Sequence, residues 1–233
     1  MKSLLFCDII RHRNRKRGIY MNLQGRNQKQ REFFNSKIDT YDFDHSEFMK
    51  TKEAITENLE ENVEKILDLG AGTGLELISL FKKYPNVKVT VIDISENMLE
   101  KLKTRSFANQ VTIICGDFFE TDFGQDYDAV ISTSALHHFK QVEKAILYKK
   151  IFDCLKEDGY FINCDRIALT DEFQEAQLYL LENEIDKHKH IDTPITIENE
   201  LYLLKETGFK LITLSDVDKE EYKLIKAIKP KRG

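Results

Sequence analysis

One short stretch, Asp68-Leu-Gly-Ala-Gly-Thr-Gly74, constrains the fold more than any other part of this chain. An apolar run over 63–69 leads into it and a helical pattern over 75–83 leaves it. Glycine tolerates positive φ and carries no Cβ, so the backbone of such a loop can approach a ligand closely. In an open α/β sheet this strand-loop-helix turn lies at the carboxyl edge of the strands, where ligands bind. The spacing is G-x-G-x-G. The nicotinamide-dinucleotide fingerprint G-x-G-x-x-G requires glycine at position 75, where the chain has Leu75. A nicotinamide-dependent oxidoreductase is therefore the weaker alternative.

The same alternation recurs downstream. Apolar runs at 87–94, 111–115, 129–131 and 160–163 are separated by helical patterns at 95–103 and 141–155. Short, nearly continuous apolar strands alternating with helices predict a mostly parallel sheet covered on both faces. The chain ends differently. Runs at 209–214 and 221–228 flank a polar connection, 215–219, which predicts a C-terminal antiparallel hairpin. The fold class is thus Rossmann-like α/β with seven strands.

Before the alternation, Phe34, Ile38 and Tyr41 fall at helical spacing, and Ser46 is a candidate cap for a second helix carrying Phe48, Ile55 and Leu59. These readings divide the chain into a basic arm over 1–27, solvated or disordered, and one domain over 28–233. That domain has a helical cap at 28–61 and a helical insertion at 167–195, placed over one end of the sheet. Met21 would serve as an alternative start, leaving 1–20 as an upstream extension.

Charge narrows the partners. Residues 1–31 hold nine Lys/Arg and one Asp, against a whole-chain balance of −5, so the body is strongly acidic. An acidic body argues against a broad nucleic-acid footprint. The arm alone offers cations for phosphate. No apolar run is long enough to span a membrane. Cys7, Cys115, Cys154 and Cys164 form no CxxC pair, so neither a zinc motif nor a disulfide framework is expected, and the chain reads as cytoplasmic.

Two acidic residues extend the site. Asp93 ends the second strand, about 20 residues past the loop, where a carboxylate can accept from a ribose diol. Asp117 follows the third strand beside Phe118 and suits an adenine, the carboxylate taking the exocyclic amine and apolar neighbours, Met98 among them, flanking the ring.

In this order the motifs resemble the class I S-adenosylmethionine-dependent methyltransferases. They are Asp68-Leu-Gly-Ala-Gly-Thr-Gly74, Val91-Ile-Asp-Ile-Ser95, Cys115-Gly-Asp-Phe118 and Asp128-Ala-Val-Ile-Ser-Thr-Ser-Ala-Leu-His-His-Phe139. The resemblance implies S-adenosylmethionine as cofactor and S-adenosylhomocysteine as product. It implies that Asp68, Gly70, Ala71, Gly72 and Gly74 border the methionine part. Asp93 and Ile94 would serve the ribose, Met98, Asp117 and Phe118 the adenine, and Ser132 would line the pocket at the fourth strand's end. Members that methylate base amines or glutamine carry Asn/Asp-Pro-Pro-aromatic there, whereas Leu-His-His-Phe looks like members acting on small metabolites. A transfer-RNA-modifying enzyme using the basic arm, and a non-catalytic cofactor-binding module, remain alternatives.

His137 and His138 follow the fourth strand at the expected methyl position and are the catalytic candidates. Tyr41, Arg166 and His188 are substrate candidates. Phe33, Phe34, Tyr41 and Phe43 would form a lid that excludes water. His188, His190 and Asp192 form a polar cluster, but no metal is expected. The acceptor and the oligomeric state leave no signature.

Overall fold

The structure, a computed structural model, describes residues 13–44, 48–183, 185 and 192–231. It opens with helix α1 (Arg13–Ser36), the short α2 (Tyr41–Asp44) and α3 (Met49–Glu57). α1 begins well before position 28, inside the stretch read as an arm. Arg, Lys and Gln are good helix formers, so the absence of an apolar stripe there does not prevent a helix. Ser46, the expected cap of α3, lies outside the described residues.

The strand-helix alternation follows as β1 (Lys65–Leu69), α4 (Leu75–Lys83), β2 (Lys88–Asp93), α5 (Glu96–Leu102), β3 (Val111–Cys115), β4 (Tyr127–Thr133), α6 (Gln141–Cys154) and β5 (Leu155–Arg166). Then come α7 (Asp171–Glu182), α8 (Ile197–Thr207) and the hairpin β6 (Lys210–Val217) and β7 (Lys219–Ile228). One sheet of seven strands has the order β3-β2-β1-β4-β5-β7-β6. β1 to β5 pair in parallel, and β7 lies antiparallel to both β5 and β6. This is the expected architecture, terminal hairpin included.

Alternation along each strand sorts the core into two layers. Leu67 and Leu69 of β1, Val130 of β4 and Phe161 of β5 face one side, where α6 and α8 bring Ala145, Leu147, Leu203 and Leu204. Ile66, Ile131 and Ile162 face the other, against Ile55 of α3, Leu77 and Leu80 of α4 and Leu102 of α5. Both faces are covered, which is why the strands read as continuous apolar runs.

The chain reverses its direction of travel across the sheet at β1, which has β2 on one side and β4 on the other. Leu69 is in register with Ile92 and with Ser132, so the three strands end level and open a crevice at the switch point. The insertion returns to this edge. Ala168 bridges Thr196, and the Thr193 amide donates to the His137 carbonyl at 2.8 Å. Among the described residues no helix is long and apolar enough to cross a membrane.

Candidate active site

The glycine loop does two jobs. Gly70, at φ +83°, lies so close to the turn after β4 that a Cβ would sit 2.4 Å from Ala135 Cβ. Gly72 faces Tyr41, and a Cβ there would stand 3.5 Å from the tyrosine hydroxyl. Both border one cavity at this edge of the sheet. Gly74 departs from expectation: it turns the chain into α4 and packs on Leu102, away from the cavity. Ala71 likewise packs into the core.

Asp93, Ile94, Met98, Asp117 and Phe118 all line the same cavity, as expected. The Asp93 carboxylate accepts from the amides of Gly72 and Ser95, each at 2.8 Å, which ties the end of β2 to the loop. Burial raises its pKa, opposed by those amides. Asp117 Oδ1 accepts from the Phe119 amide at 2.7 Å. Asp68 is fully buried just before the loop, outside the cavity lining, and neither carboxylate oxygen has a hydrogen-bond partner. Burial, then the neighbouring Glu76, pushes its pKa well above the usual range. An unsatisfied buried carboxylate fits an approaching ammonium, as a methionine moiety would supply.

Ser132 does not line the cavity. It is fully buried, and its hydroxyl donates to the Leu69 carbonyl at 2.8 Å, stitching β4 to β1. Ser134 and Ala135, just beyond the strand, take the lining position instead. The alternation explains the error: level strand ends put the last paired residue inside the sheet.

The N-terminal helices close the opposite wall with Asn27, Gln30, Phe34 and Tyr41. Asn27 donates its side-chain amide to Asp117 Oδ2. Arg31 donates to the Ile94 carbonyl at 3.2 Å, and Ser95 Oγ donates to Asn35 at 2.7 Å. Asp42 accepts from Thr73 Oγ1 at 2.6 Å and pairs with Arg105 and Lys101 at 2.8 and 3.2 Å. Of the expected aromatic lid, Phe34 and Tyr41 reach the cavity; Phe43 is 83% exposed and does not.

The two histidines sit on a 3₁₀ turn, Leu136–His138, and differ in role. His138 lines the cavity, with its ring 5.5 Å from that of Phe34. His137 lies behind it, Nδ1 2.5 Å from Asp165 Oδ1. Asp165 Oδ2 accepts from the amides of Leu136 and His137, both at 2.9 Å, so one buried carboxylate fixes the turn and the ring together. Burial would lower the His137 pKa, but the charges of Asp165 and Asp192 outweigh it and raise the value; Asp165 in turn is held below the ordinary carboxylate value, despite burial, by His137.

Asp165 bonds His137, whereas its neighbour Arg166, the substrate candidate, turns elsewhere. Arg166 pairs with Asp192 at 3.4 Å. Asp192 also lies 3.0 Å from His138 Nδ1 and 3.6 Å from His137 Nε2. His188 and His190 lie outside the described residues. The roles of Asn27 and Asp165 escape the sequence reading; for Asp165 a signal existed, since Asn163 and Asp165 place polar groups at alternate positions in a buried strand.

Comparison with known proteins agrees with this geometry. The family described as a methyltransferase domain matches residues 66–159. A carboxy-S-adenosyl-L-methionine synthase of Nautilia profundicola is 31% identical over 175 residues, covering 68% of this chain and 74% of that protein. A malonyl-(acyl-carrier protein) O-methyltransferase of Priestia megaterium is 35% identical over 94 residues, 40% of this chain and 34% of that protein. The structure of human N-acetylserotonin methyltransferase in complex with SAM superposes with a TM-score of 0.65 at 21% identity, covering 85% of this chain and 56% of that one. The breadth of the Nautilia match and the match to the methyltransferase-domain family lead to one conclusion: the chain belongs to the class I S-adenosylmethionine-dependent methyltransferases.

Proposed function

We propose that the protein moves a methyl group from S-adenosylmethionine to a small-molecule acceptor, through O, N or C, with oxygen favoured by the O-methyltransferase relative. One observation carries the reading: Gly70, Gly72, Asp93 and Asp117 converge on a single cavity that His138 shares. When bound, the cofactor supplies an electrophilic methyl whose departure leaves a neutral thioether, so no acid is needed at the leaving group.

The chain's residues then bind and align. Asp93 accepts from the ribose diol and Asp117 from the adenine amine, while Ile94, Met98 and Phe118 pack around them. Gly70 and Gly72 let the backbone close on the methionine part. Phe34 and Tyr41 exclude water from the reacting centre. His138 faces the acceptor, where it orients the nucleophile or takes its proton; His137, oriented by Asp165, buttresses it. Holding nucleophile, methyl and sulfur in line is most of the catalysis such a transfer needs.

The test is calorimetric titration of S-adenosylhomocysteine into wild type and Asp93→Ala, with NAD as control. Tight binding by wild type, lost in the variant and absent for NAD, supports the reading and leads to screening small phenols, amines and acids as acceptors. Binding of NAD instead would overturn it. Turnover on small acceptors that is insensitive to salt separates them from RNA, whose binding falls steeply with salt.

The Nautilia relative motivates a second reading, in which a carboxylic-acid co-substrate would give up its carboxyl group as CO2 to the cofactor's methyl carbon and take that carbon's proton in exchange, yielding a carboxylated S-adenosylmethionine. Mass spectrometry of the nucleoside released after turnover distinguishes the two, since methyl transfer yields S-adenosylhomocysteine.

A further inference from the structure

We propose that His137, His138 and Asp192 form a binding site for one divalent transition-metal ion beside the acceptor end of the cavity. The three donor atoms come from two distant segments, the turn after β4 and the return of the insertion, yet all lie within 4.8 Å of one another. Asp192 Oδ1 is 3.6 Å from His137 Nε2 and 3.0 Å from His138 Nδ1. Ligand bonds of roughly 2.0–2.2 Å place tetrahedral donors about 3.3–3.6 Å apart, so two of the pairs are near that spacing and the widest closes by up to about 1 Å for an ion to enter.

The surroundings are those of a prepared metal site. Asp165 holds His137 through Nδ1, which leaves Nε2 directed to Asp192. A carboxylate on the far nitrogen of a ligating histidine fixes its tautomer and orientation. Arg166 engages the other oxygen of Asp192, Oδ2, while Oδ1 faces both histidines. Two imidazoles and one carboxylate suit zinc, cobaltous or ferrous ions rather than magnesium or calcium. Three ligands come from the described residues. Because His138 lines the cavity, an ion held there would stand beside the acceptor and could engage an acceptor oxygen. This last role rests on the methyl-transfer reading; metal binding itself does not.

The experiment titrates Co²⁺ into full-length, chelator-treated protein and follows the visible d–d absorption, with Zn²⁺ as competitor. One ion per chain, displaced by Zn²⁺, is expected. Asp192→Asn and His138→Gln should each weaken binding at least 100-fold, while Asp192→Asn still melts cooperatively and still binds S-adenosylhomocysteine. Absence of a stoichiometric Co²⁺ spectrum in wild type, or a spectrum unchanged in both variants, would overturn the site and leave the three residues as a hydrogen-bonded cluster. The two titrations fail independently. Cofactor binding without cobalt sinks the metal site alone, and cobalt binding without cofactor sinks the methyl-transfer reading alone.

Discussion

The side-chain amide of Asn27 donates to Oδ2 of Asp117, the same oxygen that an adenine amine would seek. The two residues are 90 positions apart, so α1 places its own amide where, on the proposed function, the adenine amine would bond. Binding would then compete with that contact. Asn27→Ala is therefore expected to bind S-adenosylhomocysteine about 5-fold more tightly, the equivalent of one net hydrogen bond of roughly 1 kcal/mol. Calorimetry decides it; weaker binding would mean that Asn27 holds the adenine rather than competing with it.

Two glycines should respond in opposite directions to the same substitution. Gly70→Ala forces a side chain into positive φ and onto Ala135, and is expected to cost about 2 kcal/mol or more with loss of cofactor binding. Gly25, within α1, leaves open space around the position a Cβ would take, with nothing within 4 Å. Gly25→Ala should stabilise the protein by about 1 kcal/mol on helix propensity alone. Urea denaturation measures both, and an unchanged midpoint for Gly25→Ala would show that α1 is not part of the cooperative unit.

Attachment of α2 to the glycine loop should fail in acid. Burial tends to raise the Asp42 pKa, but hydrogen bonds from Thr73 and Lys101 and the Arg105 charge outweigh it and hold the value below 3.8. A depressed carboxylate stabilises the fold above its unfolded pKa and loses that contribution as pH falls through the folded one. The melting-temperature gap between wild type and Asp42→Asn is thus expected to be constant from about pH 5 to 7 and to close below 3.8. A gap that persisted in strong acid would assign the stabilisation to something other than the charge.

A buried charge cluster joins α6 to α8. Lys144 and Tyr148 both donate to Glu200, and the Lys144 and Glu200 side chains are 0% and 2% exposed. Lys144→Met strands a buried carboxylate and should cost about 3–5 kcal/mol. Lys144→Met with Glu200→Gln removes both charges and should recover much of that loss. Guanidinium unfolding of both variants tests the coupling.

Where local chemistry marks an element's ends, the sequence reading matches the structure. α4 starts after Gly74, α8 stops before Gly208 and β3 spans Val111–Cys115, all as expected. β5 is longer than its apolar run of 160–163, because backbone pairing carries it through Lys156, Glu157 and Asp158 at one end and Asp165 and Arg166 at the other. The cavity wall is legible because the loop, Asp93 and Asp117 each follow a strand. The contact of Asn27 is not, since its partner lies 90 residues away, and polar alternation in β5 marks Asp165 without naming its partner His137. Ser132 was misplaced for a related reason: motif position says which strand end a residue occupies, not which way its hydroxyl turns.

Every described residue that lines the cavity precedes position 140, whereas Asp192, paired with Arg166 at the end of β5, reaches the histidines from the insertion. The insertion therefore meets the cavity wall at the histidine turn, through Asp192 and the Thr193 amide. On the proposed function, a segment of another length grafted over 167–195 would alter the surroundings of His138 while Asp93 and Asp117 keep their places in the wall. What is modified would then change without rebuilding how the donor is held.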